Sequence, residues 1–134
     1  RTNPNGYEHP GDIQDLQAAN TPGMLDIAFF GPSVKLLCLK KPRPHPWVAG
    51  TSFHQSCGAE LKNVQWDEAS TMLSGSVQRP QGETGFILVT SPDKTPVSAE
   101  VNGQPAALQP AAQGAWRVSI MISEAPAKWK VIFQ

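Results

Sequence analysis

Charge of one sign is missing from this sequence: eleven basic side chains balance eleven acidic ones, for a formal net charge of zero. A neutral chain has no long-range field with which to gather a polyanion, so nucleic acid and anionic membrane surfaces are set aside as partners. Long apolar runs are missing too. No stretch approaches the ~20 residues of a membrane helix, and RTNPNGYEHPGD at the N-terminus carries no apolar segment of the signal-peptide kind. The chain starts at Arg1, as a processed product or a domain cut from a longer protein would. Cysteine is scarce, with only Cys38 and Cys57. A bridge between them would contribute about 3 kcal/mol in the loop-entropy model, and two buried free thiols are the other reading, so cysteine usage leaves the compartment open.

Reactive groupings are equally thin. The three histidines, His9, His45 and His54, fall in loops or at strand ends, and the H-x-x-C pair His54–Cys57 has no second pair at zinc spacing. No G-x-S-x-G elbow is present, and Cys57 with His54 matches no nucleophile signature. RPQGETG (79–85) has two glycines without the helix start that would aim amides at a phosphate. Asp67, Glu68, Glu83 and Glu100 are the carboxylates available for acid–base work, and each lies where a solvated turn or an outward strand position accounts for it. The expectation is therefore no catalytic residue, no metal and no cofactor.

What the sequence does have is punctuation. Thirteen prolines and eleven glycines fall mostly between apolar runs, which favours short strands joined by turns over long helices. With 134 residues there is room for one domain and one core. Residues 1–23 are polar and turn-rich, read as a linker or a strap, with DIQDLQAAN as a short helix candidate capped by Asp12. Residues 24–134 are read as the domain proper. MLDIAFF (24–30) and VKLLCLK (34–40) are apolar runs flanking Gly31-Pro32-Ser33, and KPRPHP (41–46) is an extended, exposed loop leading into WVAGTSF. ELKNVQWD puts Val64 and Trp66 on one face and Leu61, Asn63 and Gln65 on the other, and Leu73 and Val77 flank Gly75. TGFILVTS has an unbroken apolar centre, the mark of a strand covered on both faces.

The clearest signals come last. Val97, Ala99 and Val101 alternate with polar neighbours up to Asn102-Gly103, a pair suited to a type I′ hairpin, with QPAAL as the return strand. Trp116, Val118, Ile120 and Ile122 share one face, and Trp129, Val131 and Phe133 share another, with Lys128 and Lys130 pointing away. Nine or ten short strands at this spacing predict an all-β fold, an antiparallel β-sandwich of immunoglobulin-like or jelly-roll-like kind, with a closed barrel as the alternative.

Aromatic residues are the remaining site candidates. Trp116 and Trp129 are expected in the core. Trp47 and Trp66 either close the end of the sandwich or offer an indole to a sugar ring, with Arg43, His45 and Gln55 as nearby hydrogen-bonding groups.

TGFILVTSPDKTPVSAEVNGQPAAL, followed by WRVSIMIS and WKVIF, resembles the terminal accessory β-sandwich found beside the catalytic domain of many bacterial glycoside hydrolases; Pro92, Val97, Val101, Asn102 and Gly103 carry the match over residues 84–134. The resemblance implies a non-catalytic role in a secreted or periplasmic enzyme: packing on the catalytic domain as partner, completing a substrate cleft, or holding carbohydrate. It implies no catalytic residue. The alternatives are a carbohydrate-binding module using an exposed tryptophan, and a small independent enzyme with a cleft joining His45 or His54 to a carboxylate.

Overall fold

Period-2 alternation at the C-terminus does build strands, and two antiparallel sheets result. A computed structural model describes residues 40–53, 58–112 and 114–134, with Phe29, Gly31, Pro32 and Val34. The readings of residues 1–23, 24–30 and 34–40, and those placed on Cys38, His54, Gln55 and Cys57, lie outside the described residues, single positions apart. Nine strands follow: β1 (Trp47–Thr51), β2 (Leu61–Asp67), β3 (Met72–Val77), β4 (Thr84–Thr90), β5 (Pro96–Val101), β6 (Gln104–Pro105), β7 (Leu108–Ala112), β8 (Ala115–Met121) and β9 (Ala127–Phe133). They form a four-stranded sheet, β1-β4-β8-β7, and a five-stranded sheet, β2-β3-β9-β5-β6. Among the described residues there is no helix.

The inner faces of the sheets close on one another, as two half-apolar layers must. Val48, Ile87, Val89, Val118 and Ile120 come from the smaller sheet, and Leu73, Val77, Ala99, Trp129, Val131 and Phe133 from the larger, in one buried cluster. The fold is thus the expected antiparallel β-sandwich. In β9, Trp129, Val131 and Phe133 face inward as the pattern predicts. β4 lies between β1 and β8, and Ile87, Leu88 and Val89 are all buried, as its unbroken apolar centre predicts. The Asn102-Gly103 turn has positive φ at both residues, 49° and 77°, and joins β5 to β6.

Four details differ from the sequence reading. QPAAL is not one return strand: β6 ends at Pro105, Ala106 still donates to Ala99 O of the larger sheet at 2.9 Å, and Ala107 O already accepts from Ser119 of the smaller one at 3.0 Å. The chain changes sheets between two alanines. Leu61 is the second case. A bulge falls between Lys62 and Gln65, with Asn63 at φ 53°, so Leu61, Val64 and Trp66 all pack on the core. One extra residue returns Leu61 to the inner face, which strict alternation denied it. A third irregularity, between Pro96 and Ser98, leaves Val97 52% exposed instead of in step with Ala99 and Val101. Finally, Trp116 is half-buried and packs against the core without being enclosed by it, while Ala115 beside it is buried.

Candidate functional site

Among the described strands, β1 and β2 are outer strands of opposite sheets. Each contributes one of the two undecided tryptophans, Trp47 at the start of β1 and Trp66 near the end of β2. The segment Lys41–Pro46 leads into β1, with prolines at 42, 44 and 46 that fix φ and hold the approach extended. Lys40 through Pro44 are exposed, while Pro46 is buried and anchors the loop.

His45 joins the two sheets. Its Nδ1 donates to the Pro46 carbonyl at 2.9 Å. The imidazole meets Trp47 edge-on with centroids 5.6 Å apart, and lies parallel to the Trp66 indole, 3° between planes and 6.0 Å between centroids. Trp66 in turn meets the buried Phe133 ring edge-on at 5.8 Å, and its Nε1 donates to Glu68 Oε2 at 2.6 Å. On the other side, the Arg43 guanidinium carbon sits 3.9 Å over the Trp47 ring, close enough for a cation–π contact. Arg43, Trp47, His45, Trp66 and Phe133 thus form a continuous row that runs from the solvent-exposed loop to the core. Both tryptophans are half-buried.

Arg43, His45, Trp47 and Trp66, chosen from sequence, are therefore brought together; Gln55 lies outside the described residues. Lys40 and Lys41 were missed. With Pro42, Arg43 and Trp47 they line an open pocket of about 460 Å³ on the exposed side of the row. Their sequence signal is the Lys-Lys pair directly before the proline-rich run, a local charge that the net neutrality of the chain conceals.

The carboxylates weighed for acid–base roles are each engaged. Arg79 clasps Glu83 through two hydrogen bonds of 2.8 and 2.9 Å, and Lys130 pairs with Glu100 at 2.9 Å. Glu68 is held by Trp66. Asp67 accepts from the Ser70 hydroxyl at 2.6 Å and the Ala69 N–H at 3.0 Å. A further carboxylate, the buried Glu60, accepts the hydroxyl of buried Thr51. Among the described residues no three histidine, cysteine or acidic side chains group as metal ligands would.

The Ser70 hydrogen bond, helped by the Ala69 N–H, holds the Asp67 carboxyl below its ordinary value of 3.8. A carboxyl depressed on folding gives up its proton more readily in the folded state. Its contribution to stability is present above the ordinary carboxylate range and is lost as pH falls through the depressed folded value. Ser70→Ala is expected to move the Asp67 titration upward, read by carboxyl carbon NMR against pH; an unmoved titration would locate the cause elsewhere.

Compared with known proteins, the chain matches no family model, no curated protein and no solved structure.

Proposed function

We propose that the protein is a non-catalytic accessory β-sandwich module of a secreted or periplasmic carbohydrate-active enzyme, touching carbohydrate through the Arg43–His45–Trp47–Trp66 row. One observation carries the reading: groups selected for sugar-ring stacking and hydrogen bonding converge at one edge of the sandwich, on a frame tied to the core through Phe133. With Arg43 over Trp47 and His45 parallel to Trp66, a pyranose would pack against the rims of these planar groups, and their N–H groups would fix its orientation. Half-burial and flanking prolines keep these side chains ordered before binding, which lowers the entropy cost of holding a ligand.

Glycan-array binding followed by calorimetric titration tests the proposal. Trp47→Ala is expected to weaken the captured sugar about 10-fold or more, the scale of a truncated aromatic hot spot, with the circular dichroism spectrum retained. The purified chain is expected to hydrolyse no glycan. A flat array for the folded wild-type chain counts against carbohydrate contact.

Docking on a catalytic domain is the second reading, and the large apolar side chains of Val97 and Met121 favour it, being 52% and 62% exposed. Val97 lies on β5 of the five-stranded sheet and Met121 on β8 of the four-stranded sheet, and docking would take the apolar area of either from water. Protection of the Met121 side chain from hydroxyl-radical footprinting in a longer polypeptide carrying the catalytic domain, absent from the isolated chain, is the result this reading expects.

A further inference from the structure

We infer that the pocket beside Trp47 selects an acidic saccharide, one carrying carboxylate or sulfate groups, over a neutral one; this rests on the carbohydrate reading and narrows its ligand class. Among the described residues the pocket wall is Lys40, Lys41, Pro42, Arg43 and Trp47: three basic residues and one indole, with the Arg43 guanidinium over the ring and no carboxylate in the wall. Its volume, about 460 Å³, lies within the range of small-ligand sites. The whole chain is neutral, so this is a local concentration of positive charge and not a share of a basic surface.

Arg43 is posed for an anion. Stacking on Trp47 uses the face of the guanidinium, 3.9 Å above the ring, and leaves its in-plane N–H groups for a ligand. A planar fork of this kind pairs with carboxylate or sulfate oxygens through parallel hydrogen bonds. Among the described residues no acidic side chain forms an ion pair with Arg43, Lys40 or Lys41; the ion pairs seen there belong to Arg79, Lys94 and Lys130. The prolines at 42, 44 and 46 and the His45 contacts limit the freedom of the loop, so Arg43 is held over the indole before any ligand arrives. A saccharide docked along the rim of Trp47, whose ring Arg43 covers, would set its acidic substituent against the in-plane N–H groups of Arg43.

A nucleic acid is the rival polyanion. Three cations alone supply only weak, salt-sensitive attraction to a phosphate backbone, and a neutral chain adds nothing to it.

Titration calorimetry with four probes tests the inference: a galacturonate hexamer, a heparin hexasaccharide, the neutral cellohexaose, and a twelve-nucleotide oligothymidylate. Binding to one of the acidic hexamers, at least about 10-fold tighter than to cellohexaose and weakened by salt, is expected; which acidic hexamer binds identifies carboxylate or sulfate as the recognised group. The K40Q/K41Q double variant is expected to lose most of that preference while keeping the wild-type circular dichroism spectrum, and Trp47→Ala to lose affinity for every sugar. Equal binding of acidic and neutral hexamers overturns the inference and leaves the carbohydrate reading standing. Oligothymidylate bound more tightly than either acidic hexamer, with Trp47→Ala unaffected, overturns it in favour of general polyanion attraction. No binding of any hexamer by the folded chain overturns both.

Discussion

Gly75→Val is expected to destabilise the protein by about 3 kcal/mol or more, the upper range for overpacking a filled core. Gly75 sits in the middle of β3, paired with Trp129 of β9, and its neighbours Leu73 and Val77 on the same face are fully buried. A Cβ built there would lie 2.8 Å from Trp129 Cζ2, 3.1 Å from Cε2 and 3.2 Å from the Lys62 carbonyl oxygen. Trp129 is itself only 2% exposed, so the indole cannot swing aside without emptying its own place in the core. Gly75 and Trp129 are one packing unit: the missing side chain on β3 makes room for the large one on β9. Trp129→Ala alone is expected to cost about 3–5 kcal/mol. The two changes are not additive, because alanine at 129 removes the ring that the new side chain strikes. Urea denaturation of both single variants and the double variant checks this; a double variant as unstable as the sum of the singles would show that the clash is not what makes Gly75 necessary. The unit also matters to the edge site, since Phe133 of the same strand supports Trp66.

Leu88→Ala is expected to cost about 2–4 kcal/mol, comparable to Ile87→Ala next to it. Simple alternation would make only one of the two expensive. Ile87 and Val89 belong to the cluster between the sheets, and successive strand residues point to opposite faces, so Leu88 points away from that cluster. It is nevertheless 2% exposed, against 0% for Ile87. Leu88 pairs with Arg117 of β8, whose guanidinium carbon lies 5.0 Å from the Phe86 ring centroid, so the outward face around β4 is itself packed. Chemical denaturation of the two alanine variants side by side is the measurement; a Leu88→Ala cost under about 0.5 kcal/mol, the ordinary surface value, would mean that this outer face contributes nothing to stability.

Much of the sandwich was legible because alternation is a local property of the backbone. An extended chain places residues 118, 120 and 122 on one side whatever lies beyond them, and 129, 131 and 133 likewise, so the core of β8 and β9 could be read without knowing which sheet either strand joined. The Asn102-Gly103 turn was readable for the same reason, since its positive φ values are a demand on two adjacent residues. The errors fall where one residue breaks the count. The irregularities at Asn63 and Val97 shift the alternation by one position, and nothing in ELKNVQWD or TPVSAEV marks the insertion. The change of sheets at Ala106–Ala107 was hidden because small apolar residues suit either layer.

From the sequence by itself came the fold class, the inward faces of the last strands, and the residue types suited to a sugar ring. The tertiary structure alone decided that His45 lies between Trp47 and Trp66, that Lys40 and Lys41 line one open pocket with Arg43 and Trp47, and that Gly75 leaves room for Trp129. The division has a physical cause. Which side a strand residue faces follows from the geometry of its own few bonds, whereas which residues of distant segments touch depends on strand order, register and the approach of two sheets, and those follow from packing of the whole core.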